Sequence, residues 1–187
     1  SGRGVNRQTA AYILSQGPAG VAEWNKRRDN GDRLPDLKGI SFRQAALRGV
    51  DLIGARLDGA DLSGADLQGA RLGEAVLRGA LLKKARLEDS DLEGTVFVTA
   101  NLHEANLAKA KLERADLSGA FLVETNLSKA NLLGASLVKA DLRRAHLIGA
   151  SLRFADLRNA DLRNANLNKA DLTDSKLQRA KLHEAHL

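Results

Sequence analysis

Cysteine is absent from the 187-residue chain, which excludes disulfides, thiolate metal sites and thiol nucleophiles. Methionine is absent too, even at position 1, so the chain reads as a processed or recombinant piece. Residues 1–4 (Ser-Gly-Arg-Gly) read as an expression remnant, with a removed leader left open. Aromatic side chains amount to one Trp, one Tyr and four Phe, too few for an ordinary mixed core, so a repetitive core is expected. No apolar run approaches the ~20 residues of a membrane helix, and no signal-peptide pattern opens the chain. A cytoplasmic location without a membrane partner is therefore expected. Long runs of one charge sign are also missing. The 29 Lys and Arg and 23 Asp and Glu are interleaved, and a net charge of +6 serves solubility better than it indicates nucleic-acid binding.

What is present is a period. From Leu37 to Leu187 a large apolar residue returns at every fifth position, thirty-one times, as Leu in all but Phe42 and Phe97. Two residues earlier stands Ala in twenty-four of the thirty-one units, as in Ala60-Asp61-Leu62-Ser63-Gly64 and Ala160-Asp161-Leu162-Arg163-Asn164. On an α-helix a step of five advances ~500°, which scatters the leucines around the axis. On a straight strand an odd period sends successive leucines to opposite faces. A short extended piece followed by a corner, repeated, satisfies the pattern and brings every leucine back to one axis. Residues two apart share a face, so the small Ala and the Leu both point inward.

The remaining slots agree. The residue before the Leu is Asp or Asn in fifteen units, side chains that bond to nearby backbone at turns. The second residue after it is Gly eleven times, which suits a corner. A row of carboxylates could look catalytic, but its recurrence in one slot assigns it to turn structure. Ahead of the repeat, Val5–Ser15 reads as a helix, Gln16-Gly17 as a break and Pro18 as the start of a second helix reaching Asp29. Asn30-Gly31 is the stop signal. Trp24 with Lys26, Arg27 and Arg28 could contact a ligand or nucleic acid; the plainer reading packs Trp24 on the first repeat and leaves the charges in water. The division is thus residues 5–34 as an N-terminal helical cap and 35–187 as the repeat.

The tandem A(D/N)LXX units of 35–187 resemble the pentapeptide-repeat proteins. The resemblance implies an all-β solenoid, a right-handed quadrilateral parallel β-helix of four pentapeptides per coil. It would have seven coils and most of an eighth, about 35–40 Å long at the ~4.8 Å strand spacing. Such families include topoisomerase-protecting DNA mimics and regulators of bacterial differentiation, so the resemblance implies interaction without choosing a partner.

Candidate sites must lie on the outward slots. Val76, Val96 and Val98 share one face, with Leu81, Phe121 and Val123 on the next, forming an apolar strip that could bind another protein. Leu133 and Phe154 make a looser pair elsewhere. Arg143, Arg144, Arg158 and Arg163 form a basic patch, although Asp141, Asp156 and Asp161 beside them point to mutual neutralisation. Nucleic acid is not favoured, since stacking platforms and reading motifs are missing. DNA mimicry is disfavoured by the basic charge. His183, Glu184 and His186 are a weak metal possibility, and no nucleophile–base pair or phosphate loop is present. The expectation is a non-enzymatic interaction module without cofactor or metal, with a DNA mimic or a structural spacer as alternatives. The end at Ala185-His186-Leu187 carries no cap, so either pairing there with a second copy or a following segment that is missing from this sequence is expected.

Overall fold

In the computed structural model, which describes residues 4–187, two helices precede a single continuous solenoid. Residues 1–3 of the remnant expected at 1–4 lie outside the described residues. Helix α1 (Arg7–Leu14) is opened by Asn6, whose side chain accepts from the Thr9 N–H at 2.7 Å. Helix α2 (Gly17–Asp29) begins slightly earlier than the proline alone indicates and ends with Lys26, Arg27 and Arg28 in its last turn. Neither helix is long and apolar enough to cross a membrane.

From residue 36 onward the chain winds in coils of twenty residues. The residue before each leucine pairs in parallel with its counterpart twenty positions on, from Ser41 with Asp61 to Asn166 with His186. The extended pieces are shorter than the fold class expects: pairing involves one residue per side of a coil, and no longer strand forms among the described residues. The reason is the turn that follows each leucine at once. In the unit around Leu107, the Ala110 N–H closes that turn on the Leu107 carbonyl at 3.1 Å. Three further bonds join this unit to its neighbours: Leu107 N–H to Asn126 O (2.7 Å), Lys109 N–H to Ser128 O (3.0 Å) and Asn106 N–H to Ala85 O (2.9 Å).

Both structural slots read from the sequence are used. All fifteen Asp or Asn residues before a leucine accept a hydrogen bond from the backbone N–H two residues later, as Asp61 does from Ser63 and Asn126 from Ser128. The corner slot has positive φ throughout, at Gly49 (φ 69°) as expected, but equally at nineteen residues with side chains, including Thr99 (φ 57°) and Phe154 (φ 57°). From Gly39 to Asn164 each corner N–H donates to a carbonyl of the next coil, so the ladder imposes the left-handed conformation there where glycine is missing; Lys169, Asp174, Arg179 and Glu184 keep it in the last coil without that bond.

The interior is dry. The leucines from Leu47 to Leu162 are fully buried, and Phe97 with them. The three fully buried polar residues in the alanine slot have their hydroxyls answered inside: Ser90 donates to Leu87 O (2.6 Å), Thr95 to Leu72 O (2.8 Å) and Thr125 to Leu102 O (2.6 Å), while Ser175 in the last coil has no partner. In the coil ending at Leu187 the inward side chains open out, with Leu172, Leu177 and Leu182 half-buried and Leu187 72 % exposed.

At the other end the helices replace a missing coil. Arg7 donates to the carbonyls of Asp36 (3.2 Å) and Lys38 (2.6 Å). Asn25 accepts from the Asp51 N–H (2.8 Å) and donates to Gly49 O (2.9 Å). Trp24 is buried and gives its indole N–H to Asp51 O at 2.8 Å. Trp24 thus belongs to the packing and presents no ring to a ligand. Arg27 pairs with Glu23 (3.1 Å) and Asp32 (3.6 Å), and Arg28 donates to Asp32 O.

Leu107→Ala is expected to lower unfolding free energy by about 2–5 kcal/mol, read by denaturant titration. Leu107→Lys should not fold, because it puts a charge without a partner in a dry interior. A soluble Leu107→Lys protein with native circular dichroism would contradict the inward assignment. Thr99→Gly should raise the denaturation midpoint, relieving a left-handed β-branched residue by roughly 1 kcal/mol.

Candidate functional site

With leucines and alanines committed to the interior, recognition falls to the outward slots, and the twenty-residue coil says which of them meet. Val76 pairs directly with Val96. Val98 occupies the corner that follows, beside the Thr99 turn. Leu81 and Phe121 lie in one column on the adjoining face, but Asn101 stands between them and pairs with both. The strip is therefore a patch wrapped around a corner rather than an unbroken apolar row. Its outermost members are Phe121 (52 % exposed) and Leu81 (43 %), while Val76, Val96, Val98 and Val123 are half-buried.

Val123 leads away from that patch. With Arg143, Arg144, Arg163 and Asn164 it lines an open groove of about 330 Å³ at the next corner. The structure thus joins three residues of the basic patch to one of the apolar strip. Arg158 stands one residue before the Asn159 corner, one pentapeptide earlier than Arg163, and does not line the groove. Each arginine has a carboxylate: Arg143 with Asp141 (2.7 Å), Arg158 with Asp156 (2.6 Å), Arg163 with Asp161 (2.6 Å) and Arg144 with Glu124 (3.6 Å). The Arg158 guanidinium holds the Asp156 carboxyl below its ordinary range, and Arg163 does the same to Asp161. The Thr173 hydroxyl similarly lowers Asp171.

Leu133 and Phe154 are both exposed on one further face, and Arg153 lies 5.8 Å from the Phe154 ring centre. Ile148, exposed at 38 %, went unnoticed in the sequence because a lone apolar residue in an outward slot has no periodic signal. His183 approaches Glu184 at 3.4 Å, and His186 belongs to a different paired column, opposite Asn166. Among the described residues no three His, Cys, Asp or Glu side chains converge as metal ligands.

The family model for pentapeptide repeats matches in overlapping segments, 36–64, 60–97, 80–119, 97–132, 125–164 and 150–187. The chain belongs to the pentapeptide repeat family. Among solved structures it is similar to HetL, a pentapeptide repeat protein involved in heterocyst differentiation regulation in the cyanobacterium Nostoc sp. strain PCC 7120. The two are 29 % identical over 89 % of this chain and 94 % of HetL, with a TM-score of 0.51. It is also similar to trypsin-treated QnrB1, a plasmid-mediated fluoroquinolone resistance protein, at 20 % identity over 78 % of this chain and 88 % of that one (TM-score 0.48). A pentapeptide repeat protein of the Arabidopsis thaliana thylakoid lumen is 33 % identical over 60 % of this chain and 71 % of its own (TM-score 0.26). No curated protein sequence matches the chain significantly.

The lowered aspartates of this repeat protein give acid sensitivity a definite sign. A carboxyl held below its unfolded value stabilises the fold above about pH 5, and that contribution disappears as pH falls through ~4 towards the native value. Urea midpoints should therefore be flat from neutrality to about pH 5 and drop below it. Asp156→Asn with Asp161→Asn should make that drop shallower. The turns should persist, because Asn126 and Asn166 make the same backbone bond in the equivalent slot.

Proposed function

We propose that this pentapeptide repeat protein is a non-catalytic interaction module, a rigid rod that presents side chains to another protein. The observation that carries the reading is the half-exposed pair Phe121 and Leu81, flanked by Val76, Val96 and Val98, over a core that is already full. These side chains contribute nothing to the buried leucine column, and several apolar groups on adjoining coils form a surface suited to a partner. Similarity to HetL, a pentapeptide repeat protein involved in heterocyst differentiation regulation, supports a regulatory role for the module.

A topoisomerase-directed DNA mimic would need a continuous acidic face. The face richest in carboxylates carries Glu74, Asp91, Glu93 and Glu113, but Lys111 stands within it, and Arg114 bonds Glu93 at 2.7 Å and approaches Glu74 at 3.8 Å. This pattern cancels charge where a phosphate mimic would accumulate it. Gyrase supercoiling, with or without quinolone, should be unchanged by the purified protein.

Capture from the lysate of the source organism, followed by mass spectrometry, tests the patch. A partner that it binds should be lost about tenfold or more with Val98→Asp and Phe121→Asp, while circular dichroism stays native. Equal recovery with both substitutions would remove the corner from consideration, and recovery of no specific partner would favour the spacer alternative.

A further inference from the structure

We propose that a second surface, the carboxylate-free face from Asn106 to His186, binds an extended acidic polypeptide segment laid along the rod. The inference rests on the interaction-module reading but uses none of the apolar corner.

Thirteen outward positions make up this face, and they hold three Lys, two His and no Asp or Glu. Lys109, Lys129 and Lys169 stand in one register column at its edge, all exposed. Unlike Arg143, Arg144 and Arg163, these lysines have no carboxylate within 4.0 Å among the described residues. Their charge is thus available to a partner. Beside them, Asn126 and Asn166 commit their Oδ1 atoms to the N–H groups of Ser128 (2.9 Å) and Asn168 (3.0 Å). What those amides offer outward is their NH₂, a donor. The face therefore presents cations and donors, while the Oδ1 acceptors of Asn106, Asn126 and Asn166 are turned to their own backbone.

One end of the face is marked: Asn106 donates to Glu88 at 2.9 Å, and Asp89 occupies the lysine column one coil earlier. On the adjoining face Asp171, paired with Ser151, accepts from the Thr173 N–H (3.0 Å) and has Arg153 at 3.9 Å.

Three features choose a carboxylate-bearing chain over other anions. No Phe, Tyr or Trp lies on the face to stack a base. Ile148 alone is too little apolar surface to seat in a lipid interface. The lysines recur at the rung spacing of ~4.8 Å and its multiples, and alternate side chains of an extended peptide recur every ~6.6–6.8 Å. Flexible lysine stems span that mismatch.

Fluorescence anisotropy with a labelled poly-glutamate peptide tests the proposal at low and physiological salt. Binding that weakens with salt is expected, as is a loss of about tenfold or more in Lys109→Gln, Lys129→Gln, Lys169→Gln combined. The triple variant should fold, because Gln44 already occupies the equivalent corner at φ 58°. Phe121→Asp should leave poly-glutamate binding unchanged. Absence of binding at low salt, or equal binding by the triple variant, overturns the proposal. So does tighter lysine-dependent binding of an oligothymidylate or a phosphatidylserine vesicle. Loss of the lysine effect with the corner-dependent partner retained sinks this inference alone, and the reverse result sinks the corner patch alone.

Discussion

The rod depends on one constraint: each coil must close in twenty residues so that backbone groups meet their counterparts on the next coil. In an interior without water, an unmatched N–H or C=O would cost more than a typical hydrogen bond contributes. The ladder around Leu107, with bonds of 2.7–3.0 Å to both neighbouring coils, meets that requirement at each unit. Leucine stacking follows from the same closure, because five-residue units in a twenty-residue coil place each leucine above another. Neither coil nor leucine column is stable without its neighbours, which is the logic of a solenoid.

Closure also accounts for the two departures from simple turn chemistry. Nineteen corner residues with side chains adopt a conformation that glycine would adopt more cheaply. From Gln44 to Asn164 they do so because the corner N–H is bonded to the next coil, as Thr99 is to Ser118 O and Phe154 to Thr173 O. At the N-terminal edge, where no preceding coil exists, Arg7, Asn25 and Trp24 supply donors and an acceptor to the first coil's backbone. Side chains there imitate a rung, which protects an edge that would otherwise recruit another strand.

Because the interior is fully used, recognition is confined to outward slots, and their meaning depends on register. Arg143, Arg158 and Arg163 look like a basic patch when read along the chain, yet each is held by the aspartate two residues earlier. Lys109, Lys129 and Lys169 look unrelated at their spacing, yet they stand in one column. Charge summed by face, rather than by stretch, separates a neutral corner from a cationic one. Phe121 and Leu81 show the same effect in reverse, since Asn101 divides what the chain order suggests is one strip.

The leucine and alanine slots, the turn-forming Asp and Asn and the breaks around the two helices were all legible in the sequence, because a period of five admits so few geometries. The corner conformation at Thr99 and Phe154 was not, since their identities argue against it and only the surrounding ladder enforces it. Nor could the sequence say that Trp24 caps Asp51, or that Val123 shares a groove with Arg143 and Arg163. The sequence by itself determined the repeating core, through local pattern and hydrophobic burial. Only the tertiary structure decided which outward charges cancel and which stand together, because that depends on contacts between residues a whole coil apart.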